Sequence, residues 1–199
     1  MTDSRSCDIA AGIDSSPLSP DLTVRPLTPA DRPWVLPFIR DRWGAETVVC
    51  HDTVYHPADL PGFVVLRASE PLGLVTYQIE ATACEIVTID SLLPGQGIGS
   101  TLIAHVLTIS AQSGCTRLWL ITTNDNLTAL RFYQNRGFAL AAVHRGAVDR
   151  ARRLKPEIPR VGDNGIPLHD EIELELNLAA NPSDRIPWTY PAIHGQAER

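Results

Sequence analysis

Apolar positions along the chain fall into distinct rhythms. Phe63-Val64-Val65-Leu66, Leu72 to Ile79 and Cys84 to Leu93 are runs rich in β-branched residues, joined by brief connections such as Ser69-Glu70-Pro71. That pattern predicts three antiparallel strands linked as hairpins. From residue 97 to 113 the period changes: Ile98, Leu102, Val106 and Ile109 recur at spacings of four, four and three, one apolar helix face, and Gly114 closes it. Leu118-Trp119-Leu120-Ile121-Thr122 is apolar on both sides, as for a strand buried between layers. A further helix is predicted from Asn126 to about Arg136, ended by Gly137, and Ala139 to Val143 begins another strand. Glu171 to Leu178 alternates strictly, a strand with one wet face.

Upstream, Thr23 to Leu27 reads as a short strand, and Thr28-Pro29-Ala30-Asp31 as a helix start. Thr28 caps, Pro29 suits the first helical position, and Asp31 favours the positive helix end. This helix should reach Trp43 and exit at Gly44, with a kink or break at Pro37. Residues 45–61 read as irregular. The predicted order is β-α-β-β-β-α-β-α-β-β: an α/β (α+β) fold, a mixed sheet with helices on its faces. Residues 22–178 form a single domain in this reading. Residues 1–21, rich in Ser, Pro and Asp, are a disordered lead, and residues 179–199, with Pro182, Pro187 and Pro191, are a tail.

Composition narrows the classes. The 199 residues suit one domain, and a 44% apolar content is enough for a packed core. No run approaches the ~18 apolar residues of a membrane span, and no apolar stretch near Met1 makes a signal peptide. The four cysteines, Cys7, Cys50, Cys84 and Cys115, lie far apart, without a metal-ligand spacing. The chain therefore reads as cytoplasmic and reduced, with no metal site and no membrane attachment. A formal net charge of −6 argues against nucleic acid and is compatible with a cationic amine.

Candidate chemistry concentrates in residues 95–138. Gly95-Gln96-Gly97-Ile98-Gly99-Ser100 lies between a strand and a helix. Backbone N–H groups at a helix N-terminus lack partners and sit at the positive dipole end, so they can hold a pyrophosphate. Close backbone approach requires glycine, and Ser100 adds a hydroxyl donor. Alone, the pattern is equally consistent with a tight strand-to-helix turn. It is no P-loop, because Ser100-Thr101 follow Gly99 where lysine is needed. It is no dinucleotide fingerprint either, because Ser100 stands where the third glycine belongs and antiparallel strands precede it. Asn126-x-x-Ala129-x-x-x-Tyr133-x-x-x-Gly137-Phe138 begins on a good N-cap and sets Ala129 one turn before Tyr133 on the same face.

The two patterns together resemble the acetyl-CoA site of the GCN5-related N-acetyltransferase (GNAT) family, over roughly residues 22–178, and the predicted order matches that fold. The resemblance implies acetyl-CoA as co-substrate, with Leu92, Leu93, Gly95, Gln96, Gly97, Ile98, Gly99, Ser100, Asn126 and Ala129 as cofactor-binding residues. It makes Tyr133 the general acid that protonates the departing CoA thiolate; a phenol of pKa ~10 carries its proton at neutral pH. Pro94 departs from the family's Gln/Arg position, and the preceding link is shorter than usual. The backbone cradle is expected to survive, short of one side-chain bond to the cofactor, for which Gln96 substitutes in part.

Acyl transfer needs a neutral amine, so some group must accept its proton. Glu85 and Asp90 are the candidates, both on the strand feeding the glycine loop. Cys84-Glu85-Ile86-Val87 resembles the Ala-Glu-Ile-Val stretch of the family's histone-acetylating branch, whose glutamate is the base, and this favours Glu85. Five positions apart, the two carboxylates should face opposite sides of the sheet unless a bulge intervenes. Their ordinary alternatives are a cross-strand pair for Glu85 and a turn cap for Asp90. His51 and His56, flanking Tyr55, read as surface residues. Arg145, Arg150, Arg152, Arg153, Lys155 and Arg160 read as a solvated face or as a lid on the acceptor pocket, since residues 144–170 make a long connection between the last two strands.

The expected activity is transfer of acetyl from acetyl-CoA to a primary amine, on a small molecule or a protein, by direct attack in a ternary complex, with a homodimer possible. The alternative is a non-catalytic acyl-CoA-binding sensor or regulatory module.

Overall fold

A computed structural model describes residues 18–162 and 164–179. The expected lead, except its last residues, and all but the first residue of the expected tail lie outside the described residues. A seven-stranded sheet runs in the order β1-β4-β5-β6-β7-β9-β8. Its strands are β1 (Leu22–Pro26), β4 (Gly62–Arg67), β5 (Glu70–Glu80), β6 (Ala83–Ser91), β7 (Arg117–Thr123), β8 (Ala139–His144) and β9 (Glu171–Asn177). The helices are α1 (Arg32–Trp43), α2 (Ile98–Gln112), α3 (Leu127–Gln134) and α4 (Ala147–Leu154). The predicted strands and the first three helices are all present within a residue or two at most ends.

Helix α1 begins at a buried hub. Asp31 is 5% exposed and accepts both guanidinium nitrogens of Arg25 at 2.7 Å. It also accepts the Thr28 N–H and Oγ1 and the Trp34 indole, each at 2.8 Å. The Arg25 hydrogen bonds, more than the others, hold its carboxyl well below the usual carboxylate range. A 3-10 turn, Pro29–Asp31, precedes the helix. No break occurs at Pro37, because its missing N–H forfeits a single bond near a helix start already held by Asp31.

One face of the sheet packs on α2 and α3, burying Val75, Ile86, Leu102, Ile103, Leu118 and Leu174. On the other, Val35 and Ile39 of α1 cover Leu74. Every neighbouring pair is antiparallel except β6–β7, which is parallel and registers only Ala83–Ile86 with Arg117–Leu120. Beyond Ile86 and Leu120 the strands no longer pair, so a gap opens between them toward the glycine loop.

One expectation needs correction. Residues 45–61 are not irregular: β2 (Val48–Cys50) and β3 (Thr53–Tyr55) form a separate hairpin. Its two turn residues, His51 and Asp52, both take positive φ without glycine, at 52° and 60°, so the usual hairpin signal is missing. The 144–170 connection contains α4, started by Gly146 at φ 66°.

Candidate functional site: a cleft at the split between two parallel strands

The gap between β6 and β7 leads into a cleft of about 530 Å³. Its walls are the end of β6 from Ile89 to Ser91, Leu93, Pro94, Gly95 and Gly97 of the loop, the first turn of α2, and Asn126, Ala129, Phe132, Tyr133 and Arg136 from the α3 region. Gly95 and Gly97 take φ of 75° and 73°, the left-handed region that other side chains resist. Gly97 is the N-cap of α2, and the first intrahelical bond runs from the Thr101 N–H to the Gly97 carbonyl. The amides of Ile98, Gly99 and Ser100 therefore remain available at the positive helix end. Gly99 is small for another reason: a Cβ there would come 2.9 Å from Phe132 Cζ. It lets α2 and α3 approach closely.

Of the sequence-predicted cofactor residues, Leu93, Gly95, Gly97, Ile98, Gly99, Ser100, Asn126 and Ala129 line this cleft, as does Pro94. Leu92 and Gln96 do not; both are exposed. The Leu92 N–H instead continues the β5–β6 ladder to the Leu72 carbonyl at 2.8 Å. Asn126 caps α3 as expected, its Oδ1 accepting the Ala129 N–H at 3.0 Å, which leaves the amide nitrogen of its side chain for other partners.

Arg136 was not anticipated. Its guanidinium lies 3.6 Å from the centre of the Phe132 ring and donates to Ser100 Oγ from Nε at 3.1 Å and from Nη2. Ser100 thus accepts from a cation, and its own proton can point elsewhere. Helical spacing held the signal: Arg136 follows Phe132 by four residues, on the face that meets Gly99.

Tyr133 is 6% exposed and packs edge-on against Phe132 and Phe138. Burial first, and then the negative charge of Asp90, push its phenol well above the ordinary value, opposed by Arg136. It carries its proton at any working pH.

The two candidate carboxylates share a face. Thr76 pairs with Thr88 and Tyr77 with Ile86, so Val87 is an extra residue on β6. This bulge resets the alternation and brings Glu85 and Asp90 to the side of Gln78, Thr76 and Leu74. Their settings differ. Asp90 lines the cleft, but its two oxygens accept the Trp43 indole at 2.6 Å and Arg42 Nε at 3.1 Å. Burial still raises its carboxyl above the ordinary value. Glu85 stands further down β6, 7% exposed, and accepts the Tyr55 hydroxyl at 2.8 Å through Oε2. Burial foremost, then Glu80, Glu173 and Glu171, raise its carboxyl to about 7, against the lowering effect of Tyr55. Asp90 ties α1 to β6, whereas the Glu85 side chain makes no hydrogen bond other than the one from Tyr55 among the described residues.

The basic segment is largely committed internally. Arg152 donates to the carbonyls of Ile158, Pro159 and Leu168 and pairs with Asp149. Lys155 donates to the carbonyls of Trp43 at 2.8 Å and Thr47 at 3.3 Å, and Arg150 reaches Asp52. Among the described residues, no group of three or more His, Cys, Asp or Glu is placed to hold a metal ion.

The profile of the Acetyltransferase (GNAT) family matches residues 31–138. The uncharacterized protein YdhI of Bacillus subtilis (strain 168) is 43% identical over 136 residues, 68% of this chain and 85% of its own. In three dimensions the IAA acetyltransferase from Bacillus cereus ATCC 14579 is similar at a TM-score of 0.61 and 20% identity, covering 79% of this chain and 99% of that one. A GNAT family acetyltransferase from Elizabethkingia anophelis with acetyl-CoA bound gives 0.56 and 20%, over 80% of this chain and 100% of that one. A strand pair that splits beside a glycine-started helix, with the family profile running from Asp31 to Phe138 across both, makes this chain a member of the GNAT acetyltransferase family.

Proposed function

We propose that this chain is an acetyl-CoA-dependent N-acetyltransferase acting on a primary amine, on a small molecule or a protein. The observation that carries this reading is the cleft itself, which gathers three things the chemistry needs: free helix-start amides, a guanidinium beside a serine hydroxyl, and a buried, protonated phenol.

The amides of Ile98, Gly99 and Ser100 would hold the CoA pyrophosphate, with Arg136 adding positive charge. The Asn126 side-chain amide and the open face over Ala129, which line the same cleft, would border the pantetheine arm. The co-substrate supplies an activated acetyl thioester. The residues of this chain handle two protons. Glu85 accepts one from the attacking amine, directly or through water, as the N–C bond forms. Tyr133 delivers one to the sulfur as the C–S bond breaks. Backbone N–H groups along the gap, where β6 and β7 no longer pair, would serve the carbonyl oxygen. Positioning the two reactants supplies a large share of the acceleration.

The test is calorimetric titration of acetyl-CoA into the protein and into Ala129→Phe, followed by a panel of primary amines with CoA thiol release as readout. Binding by the native chain, its loss in Ala129→Phe at unchanged melting temperature, and thiol release with at least one amine are expected. No binding by the native protein would overturn the reading. Binding without transfer to any amine would favour a non-catalytic acyl-CoA-binding module.

A further inference from the structure

Tyr55 has no place in either sequence motif, yet it makes the one hydrogen bond to the Glu85 carboxylate among the described residues, at 2.8 Å. It reaches Glu85 from the β2–β3 hairpin, which is not part of the main sheet. What holds that hairpin is informative. Helix α4 packs against β2, and Val48 is buried. The His51 N–H donates to Glu171 Oε2 at 3.1 Å, Arg150 of α4 pairs with Asp52, and Lys155, following α4, caps the Thr47 carbonyl. Four separate ties thus fix a hairpin of three-residue strands whose side chain at one end touches the candidate base.

We propose that Tyr55 is the positioning residue for Glu85: its phenol fixes Oε2 and leaves Oε1 as the oxygen that meets the acceptor's proton. This rests on the reading of Glu85 as base given above. The surroundings explain why the contact is needed. Glu80 faces Glu85 from β5, Glu171 and Glu173 from β9, and Cys50 and Tyr55 from the hairpin. Arg117, on this face, is engaged by Glu173 and Glu175, and the His144 ring lies in hydrogen-bond contact with Glu173. Burial and three neighbouring carboxylates all favour a protonated Glu85, and the Tyr55 hydroxyl is the contact that favours its charged form. Burial and Glu85 itself push the Tyr55 phenol upward, so it remains a donor throughout the working range. The 144–170 connection acts, through α4 and the hairpin, as the brace of the base.

The experiment is a ¹³C NMR titration of protein carrying ¹³Cδ-glutamate, with the Glu85 resonance assigned by its loss in Glu85→Gln. In the native chain Glu85 should titrate near 7. In Tyr55→Phe its midpoint should rise by about one to two pH units, the equivalent of a hydrogen bond to a charged group. The midpoint of Glu171, held by the His51 N–H on the same hairpin, is the structural control and should stay. If the hairpin shifts and both midpoints move, 3,5-difluorotyrosine at position 55 decides: a stronger donor must move Glu85 downward. A Glu85 midpoint unmoved by either change overturns the proposal and leaves the base role standing. Full transfer activity in Glu85→Gln would instead remove the base role while the measured coupling stood.

Discussion

The two sides of the β6–β7 gap are built in opposite ways. On the cofactor side, the groups proposed to bind CoA and protonate its sulfur come from one stretch, Leu93 to Arg136, folded as loop, helix, strand and helix. On the proposed acceptor side, Glu85 accepts a hydrogen bond from Tyr55, thirty residues earlier, and Tyr55 stands on a hairpin tied to Glu171 and Lys155, more than a hundred residues beyond Thr47 and His51. The first side is a local unit whose parts need only correct turns and caps. The second is an assembly of distant segments, each marginal alone: a hairpin of three-residue strands and an eight-residue helix lie below the size that is stable in isolation. The difference teaches where variation is tolerated. A pyrophosphate cradle has one task, whereas an acceptor wall assembled from long connections can change its occupant by changing the connections.

The comparison is tested most severely at Tyr133, where a local unit is proposed to carry chemistry. Tyr133→Phe removes the proton and nothing else from a ring that packs on Phe132 and Phe138. Turnover should fall about 10²- to 10⁴-fold, the usual share of a general acid. Acetyl-CoA affinity by calorimetry should hold, because Tyr133 makes no hydrogen bond among the described residues that the phenylalanine would lose. Lowered affinity at full turnover would make Tyr133 a wall of the cleft rather than its acid.

Arg152 probes the other side. Its side chain is 13% exposed and satisfies three carbonyls of the 144–170 connection. Arg152→Ala leaves those acceptors short of donors and should cost about 2–3 kcal/mol of stability in denaturant unfolding. Amide hydrogen exchange should quicken at α4 and β2–β3 first, while acetyl-CoA affinity stays. Loss of acetyl-CoA binding in this variant would mean that the two sides are one cooperative unit.

Legibility followed the same division. The β4–β6 meander, α2, β7 and α3 announce themselves through unbroken period-2 and period-3.6 patterns, and the glycine and Asn126–Tyr133 motifs sit on their junctions. Pro94 and the short link did not close the cleft, because Gly95 and Gly97 still make the turn. The face shared by Glu85 and Asp90 was open in the sequence, because a one-residue bulge at Val87 has no composition mark: Val87 is as β-branched as its neighbours. The hairpin and α4 went unread for a different reason. A turn of His51 and Asp52 lacks the glycine that usually marks it, and a helix with four charged residues among its eight resembles a solvated stretch until its partners are known. Arg152 illustrates the cost: as a residue type it suggests an anion site, and only the fold shows its guanidinium spent on carbonyls.

The finest division runs through one side chain. Asn126 Oδ1 accepts the Ala129 N–H and starts α3, so Asn126→Ala should lose the cap and about 1 kcal/mol of stability. Asparagine and aspartate cap helices almost equally well, so Asn126→Asp should keep that stability. It replaces the amide donor facing the cleft with a second carboxylate oxygen, beside the place proposed for an anionic ligand. Acetyl-CoA affinity should then drop several-fold in both variants while the melting temperature drops only in Asn126→Ala. If Asn126→Asp binds acetyl-CoA as the native chain does, Asn126 shapes the cofactor side through its cap alone, and the cradle reduces to the α2 amides and Arg136.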